Sequence, residues 1–380
     1  MIDVLIAGGG IIGCATAVQL LRAEPSLRVL VVEPDPSYRH AATPRASGGV
    51  RQLFSLPEHI ALTQYTLTVV ADWREFVGAG APELHWRPNG YLFIAGPDHA
   101  DRLAAAHARQ LDNGVRADWL TPAGLAARFP ALEIRDLAGA VHSPDDGWLD
   151  PWAMLSGLRA AAQRLGAEFQ RERVCDFIVR DGVVRAARLV SGPRAAEVFI
   201  DAAGCWAAEL AAGVGMPVPV EPMRRWEHQI ETPVDLSDLP FVKDPAGLAV
   251  RPQGDGLSTG LVDFAQFGDD GGRGYFQRVV WPALAHRLPA LDRLRLRATT
   301  TGHYDQNRLD GSMILGANPR GPANFLLACG FSGHGLMHAL GVGRALTELV
   351  RHGEFRTLDL SRFGYQRVLD NRPYAETSIR

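Results

Sequence analysis

The chain has 380 residues, of which 47% are hydrophobic and 21% charged, and its net charge is −3. That length suits two domains or one large two-lobed unit. The balanced charge gives no reason to expect nucleic-acid or membrane-surface binding, and no apolar run approaches a membrane span. No charged segment precedes the first apolar stretch, which is needed as a strand, so a signal peptide is not expected and the protein is expected in the cytoplasm. Four cysteines, Cys14, Cys175, Cys205 and Cys329, lack metal-ligand or disulfide-framework spacing and read as buried free thiols. The basic residues are almost entirely arginine, and Lys243 is the only lysine.

The first element is the apolar strand Asp3-Val4-Leu5-Ile6-Ala7. It runs into Gly8-Gly9-Gly10-Ile11-Ile12-Gly13, which opens a helix, and a second strand, Val29-Leu30-Val31-Val32, ends on Glu33. With 40 glycines in the chain, three at the right spacing would mean little alone, but strand, turn, helix, strand and acid in this order form a dinucleotide-binding signature. Gly8 makes the tight turn, Gly10 admits a pyrophosphate, and Gly13 lets the helix pack on the strand. The helix N-terminus offers unpaired N–H groups to the phosphates. Glu33, 20 residues after Gly13, is placed to accept from the adenosine ribose hydroxyls and argues against a 2′-phosphate. At this point NAD and FAD are both open.

A polar loop covers 34–49, and a helix is expected over 58–78. A strand at 91–94 follows the Asn89-Gly90 turn, with helices at 98–113 and 121–128 and an amphipathic helix from Pro151 to a C-cap at Gly166. Strands are expected at 168–169, 174–179, 183–190 and 198–201, the last entering a strand-to-helix turn at Gly204. Residues 218–300 carry strand and loop signals. Strands at 313–315 and 325–328 then lead through Gly330 to His334 into a helix ending near 351. Nucleotide-type glycine turns near 8, 204 and 333 imply a cofactor domain built from separated segments.

In these motifs the chain resembles the D-amino-acid oxidase superfamily, in its sarcosine oxidase, glycine oxidase and dimethylglycine dehydrogenase-like branch. The resemblance rests on the N-terminal glycine motif, on Ala46-Ser47-Gly48-Gly49-Val50-Arg51-Gln52, and on Asp201-Ala202-Ala203-Gly204-Cys205-Trp206-Ala207. Its most specific part is Gly330-Phe331-Ser332-Gly333-His334-Gly335 with Gly341-Val342-Gly343-Arg344. The implied fold is α/β with two domains. A Rossmann-like FAD domain at 1–85, 141–217 and 300–380 would hold an antiparallel-sheet substrate domain at 86–140 and 218–299.

By the same resemblance Gly8, Gly10, Ile11, Ile12, Gly13, Glu33 and Pro34 hold the ADP half, and Val174 meets the adenine. Arg45, Ala46, Ser47, Gly48, Gly49, Ala203, Gly204, Trp206, Gly316 and the loop of Gly333, His334, Gly335, Leu336 and Met337 line the flavin or its ribityl chain. Backbone N–H groups at that loop can stabilise negative charge on the reduced flavin. Covalent members carry a cysteine where this chain has Gly302, before His303 and Tyr304, so FAD is expected to be noncovalent. Met337 and Tyr304 stand where relatives carry a carboxylate-binding lysine or arginine, which leaves Arg51, Arg225 and Arg251 as candidates. Arg51 is favoured, and Arg225 and Arg251 read as surface or structural residues. Ser258 stands where an oxidase lysine would face flavin N5, and Lys243 lies in a different loop.

The activity implied is oxidation of a C–N bond of an amine or amino acid, secondary or N-alkylated, by hydride transfer to flavin N5. Water would hydrolyse the imine, and oxygen or a carrier would take the electrons. Arg51 is expected near N5, with Tyr304, Met337 and His228 shaping the pocket. The alternatives are a hydroxy-acid dehydrogenase and a flavin-stabilised assembly protein. His334 and His338 lack a third ligand, so no metal is expected.

Overall fold

The computed structural model describes residues 2–262 and 272–378. Two eight-stranded sheets organise them. The first is built on Ile2–Ala7, whose last four residues are buried, as an apolar run covered on both faces requires. This strand pairs in parallel with Val29–Val32 and with the end of Gly192–Asp201. Phe325–Cys329 adds in parallel beside Gly192–Asp201, and Ile314–Gly316 closes that edge antiparallel. Glu168–Gln170 closes the other edge, and the hairpin of Val174–Arg180 and Val183–Leu189 leaves from Gly192–Asp201. One sheet is therefore assembled from three distant stretches of chain, as the glycine turns imply.

The helix Ile11–Ala23 is buried at 11 of its 13 positions, because it is packed against this sheet on one side and other helices on the other. Small residues let it approach closely. A Cβ on Gly13 would lie 2.0 Å from the Gly8 carbonyl oxygen, and one on Gly343 would lie 2.8 Å from the Ala15 carbonyl carbon. The second of these contacts docks Gly335–His352 on the first helix.

The second sheet runs in the order Arg295–Asn307, Val220–Glu231, Gly256–Leu261, Leu248–Gln253, Phe241–Lys243, Tyr91–Ala95, Gly139–Ser143, Asp118–Leu120. It is not purely antiparallel: Phe241–Lys243 pairs in parallel with Tyr91–Ala95. Residues 141–143 and 300–307, expected on the cofactor side, hydrogen-bond here as parts of whole strands. The region read as strand and loop also holds helical residues at 273–287. These cover one face of the sheet, where Leu92, Val242, Val250, Leu257 and Ile230 meet Phe276, Val280 and Leu284. The other face looks back on the first sheet, with Tyr91 against Gly49 and Tyr304 against Gly333.

The helix expected over 58–78 is broken at Asp72 into Pro57–Ala71 and Trp73–Val77. Of the four cysteines, Cys14 and Cys329 are buried, but Cys205 is half-buried and Cys175 exposed on the outer hairpin, where strand alternation turns it outward. Among the described residues no helix is long and apolar enough to cross a membrane.

Candidate active site

A cavity of about 510 Å³ runs between the two sheets. At one end Gly8 holds φ +101°, and a Cβ there would lie 2.5 Å from the Ala202 carbonyl oxygen. Gly10 caps the first helix with no side-chain hydrogen bond, and the space in front of it is open. The Glu33 carboxylate accepts from the Gly9 N–H and the Asp35 N–H, both at 2.9 Å. Burial nonetheless pushes its pKa up, against the lowering effect of those N–H groups. Val174 and Arg173 line the same end.

The other end is formed by the turn before Gly335–His352. Gly330, Ser332 and Gly333 all adopt positive φ there. Asp305 holds the turn: its carboxylate accepts from the Phe331 N–H at 3.1 Å, and its carbonyl accepts from the Ser332 N–H at 3.2 Å. Desolvation raises the Asp305 carboxyl to about 6 despite those backbone bonds. A Cβ on Gly333 would meet the Tyr304 ring at 2.6 Å, so the turn lies flat against that ring. His334 caps the following helix without a side-chain hydrogen bond to it.

Two uncapped helix N-termini thus border one elongated cavity. This arrangement fits an extended dinucleotide, with a pyrophosphate at the first and a ring that gains negative charge at the second. Glu33 suits the ribose hydroxyls between them and the adenine end. Position 302 has no room for a thiol, because a Cβ there would lie 2.8 Å from the Arg45 Cβ.

Of the residues put forward from sequence, the cavity is lined by Gly8, Gly10, Ile11, Ile12, Glu33, Pro34, Arg45, Ala46, Val174, Ala203, Gly204, Trp206, Gly333, Gly335, Leu336 and Tyr304. Others stand outside that lining. Gly13 packs on Gly8, Gly48 on the Leu149 carbonyl and Gly49 on the Tyr91 hydroxyl. Ser47 gives its carbonyl to the Arg251 Nε–H at 2.9 Å, and Gly316 ends a buried strand. His334 lies with its Nε2 3.2 Å from an Arg51 guanidinium nitrogen.

Three expectations about chemistry need correction. Met337 does not line the cavity; its side chain is buried in the hydrophobic core, and its carbonyl accepts from Thr66 Oγ1 at 2.7 Å. His228 lies on the far face of the second sheet, with Nδ1 3.0 Å from Thr299 Oγ1 and its ring against Phe276. Burial there lowers its pKa to about 4. Arg51 is not one of these: it is buried against the Gly333 loop through His334, with its guanidinium 3.9 Å from the Phe54 ring centroid and hydrogen-bonded to the Leu53 carbonyl. Arg225, read from sequence as a surface or structural residue, lines the cavity instead. Its guanidinium sits 5.4 Å from the Tyr304 ring centroid, and one N–H goes to the Leu261 carbonyl at 2.9 Å. Among the described residues its Nε has no hydrogen-bond partner. Arg251 fits the structural reading, since Ser47, Pro252 and Gln253 take its N–H groups.

Strand register shows one residue that the sequence reading set aside. Lys243 stands opposite Ala249, Arg251 opposite Ser258, Ser258 opposite Gln229, and Met223 opposite Tyr304. Residues paired across a ladder share a face, as do residues two apart on one strand. Lys243, Ser258, Glu227, Arg225 and Tyr304 therefore share the sheet face that looks back on the first sheet, and of these Arg225 and Tyr304 line the cavity. The Ser258 hydroxyl donates to Glu227. The signal that was available is the Phe241-Val242-Lys243 alternation ahead of a tight turn, which marks a strand rather than a loop.

The glycine cradles, the helix ends and the acid define a dinucleotide-binding protein. The chain belongs to the FAD dependent oxidoreductase (DAO) family, whose model matches residues 3–349. It is an FAD-dependent oxidoreductase, and its residues fit that cofactor. It is 32% identical to FAD-dependent oxidoreductase domain-containing protein 1 of Xenopus laevis, over 99% of this chain and 84% of that protein. It is 27% identical to mitochondrial sarcosine dehydrogenase of Homo sapiens, over 95% of this chain but only 41% of the larger enzyme. Its fold is similar to that of L-proline dehydrogenase from P. horikoshii, with TM-score 0.87, 22% identity, and 98% and 99% of the two chains covered. It is also similar to glycine oxidase from Geobacillus kaustophilus, with TM-score 0.82, 24% identity, and 96% and 98% covered.

Proposed function

We propose that this protein oxidises a C–N single bond of an amine or amino acid, secondary or N-alkylated, to an imine that water hydrolyses. Bound FAD supplies the two-electron oxidising power. The observation that carries the reading is the cavity wall at the Gly333 turn, formed by Tyr304 and Arg225, with Glu227 and Lys243 further along the same sheet face. Such a wall suits a small substrate with a carboxylate and an amine. Arg225 is the best anchor for the carboxylate: it lines the cavity, its Nε is unpartnered among the described residues, and a guanidinium binds a carboxylate through paired N–H groups. Arg51 contributes positive charge from behind that site.

The relatives support this substrate class. Sarcosine and proline, for which two of them are named, are secondary amino acids, and glycine oxidase is named for a primary one. The test is an anaerobic screen of amines, amino acids and hydroxy acids for bleaching of the bound flavin, followed by readmission of oxygen. Bleaching by a secondary amino acid with release of an amine is the expected result. Bleaching by hydroxy acids alone overturns the reading. Fast reoxidation with peroxide identifies oxygen as the electron acceptor, and slow reoxidation identifies a carrier.

A further inference from the structure

We infer that Lys243 is the proton acceptor for the amine substrate, a role that rests on the C–N oxidation proposed above. An amine that arrives as an ammonium ion has no lone pair to form the C=N bond. In the assigned step an N–H bond of the substrate breaks, its proton passes to Lys243 Nζ, and the electron pair stays on the substrate nitrogen. That pair forms the C=N bond as the neighbouring C–H leaves with its two electrons for FAD. The Lys243 ammonium then returns its proton to water.

Composition and geometry point to this residue independently. The chain uses arginine at 38 of its 39 basic positions and lysine at one. A guanidinium stays protonated at any physiological pH, whereas an ammonium in a desolvated site gives up its proton readily. Among the lysines and arginines the chain thus has one side chain able to act as a base, and it lies on the same sheet face as the cavity-lining Arg225 and Tyr304. Its Nζ sits 5.6 Å from the Phe241 ring centroid.

The charged and titratable groups around it come from four directions. Arg51 lies behind Phe93, the cross-strand partner of Lys243, with its guanidinium 5.0 Å from that ring centroid. Arg225 and Glu227 lie on Val220–Glu231, Arg251 on Leu248–Gln253, and Tyr91 and Tyr304 on strands of the same sheet. Burial, then the positive charges of Arg51 and Arg225, lower the Lys243 amine to about 7, with Glu227 opposing. An ordinary alkylamine titrates near 10. The Lys243 amine is therefore a group that gives up its proton at a lower pH than a free alkylamine substrate does.

A single lysine makes the test direct. Protein labelled with [ε-13C]lysine gives one side-chain signal, and its pH titration in the FAD-loaded enzyme is expected to have a midpoint near 7. A midpoint above 9 overturns the inference, whatever the activity. The second arm follows anaerobic flavin reduction against pH with the amine that bleaches best. In Lys243→Met and Lys243→Arg the rate at pH 7 is expected to fall at least 100-fold, with the apparent pKa moved up by two or more units and the rate recovered near pH 10. Lys243→Arg separates base from charge: if it keeps the wild-type profile, only charge was needed and the inference fails. Bleaching with an unshifted profile in Lys243→Met overturns the base alone. Failure of every amine to bleach removes the amine-oxidation reading, and the base with it.

Discussion

Replacing Glu376 with alanine is expected to destabilise the FAD-loaded protein by about 3–5 kcal/mol, although the residue lies in the C-terminal tail. Its carboxylate is buried and accepts from the Ser55 N–H at 2.7 Å, the Ser55 hydroxyl, the Leu56 N–H at 3.2 Å and the Ser378 N–H at 2.8 Å. His59 Nδ1 lies 3.4 Å away, and the His59 ring stacks on His338 and Phe363. Truncation leaves several buried donors without an acceptor, at roughly 1–3 kcal/mol each, partly offset by water entering the space. With an unfolding entropy of about 2.1 cal/mol/K per residue, such a loss corresponds to a fall in Tm of roughly 4–6 °C for a chain of this size.

The ionised state matters too. Burial raises the Glu376 carboxyl, but hydrogen bonds from His59, Ser55 and the Ser378 backbone outweigh it, and the net pKa lies well below the ordinary value. The folded pKa being depressed, this stabilisation is complete above the unfolded value and is lost as pH falls toward the folded one. Calorimetry of wild type and Glu376→Ala at pH 7 and pH 4 checks both points. The gap is expected to be full at pH 7 and smaller at pH 4. A Tm within 1 °C of wild type at pH 7 would refute the reasoning.

Gly13→Ala places a methyl 2.0 Å from the Gly8 carbonyl oxygen, so the helix must lift from the strand; the expected result is protein without FAD, read from the flavin absorbance of the purified sample. Glu33→Ala removes the acceptor for the Gly9 N–H and for the ribose, and FAD affinity is expected to fall roughly 10–100-fold in a fluorescence titration. Arg225→Ala is expected to raise KM for a carboxylate-bearing amine by about 30–150-fold while leaving an amine without a carboxylate nearly unaffected. An equal loss for both would remove Arg225 as the carboxylate anchor. Asp305→Asn keeps the acceptor for the Phe331 N–H but cannot ionise. Because the folded carboxyl is raised to about 6, ionisation costs stability as pH rises from the ordinary range through that value. Thermal melts of the variant are therefore expected to be flatter than wild type between pH 4 and 8.

The cofactor end of this protein was legible in the chain itself, because its requirements are local. A turn that needs φ +101° at Gly8, a helix that must clear the Gly8 carbonyl at Gly13 and an acid at the end of the next strand are neighbours in sequence as well as in space. The same holds for Gly333, where turn and helix start are contiguous. The substrate end was not legible, because a side chain there faces the cavity or the opposite core according to strand register, and a shift of one residue reverses every face. His228 and Glu227 are adjacent in sequence, yet one packs under Phe276 and the other bonds Ser258 on the opposite face of the sheet. Motif position favoured Arg51 over Arg225, but packing buries Arg51 among aromatic rings and brings Arg225 to the wall. The tail residue Glu376 carried no motif at all, and its role exists only because the fold returns it to Ser55, 321 residues away. Backbone conformation is written in short stretches of chain, whereas which side chains meet a substrate is decided by how distant strands align.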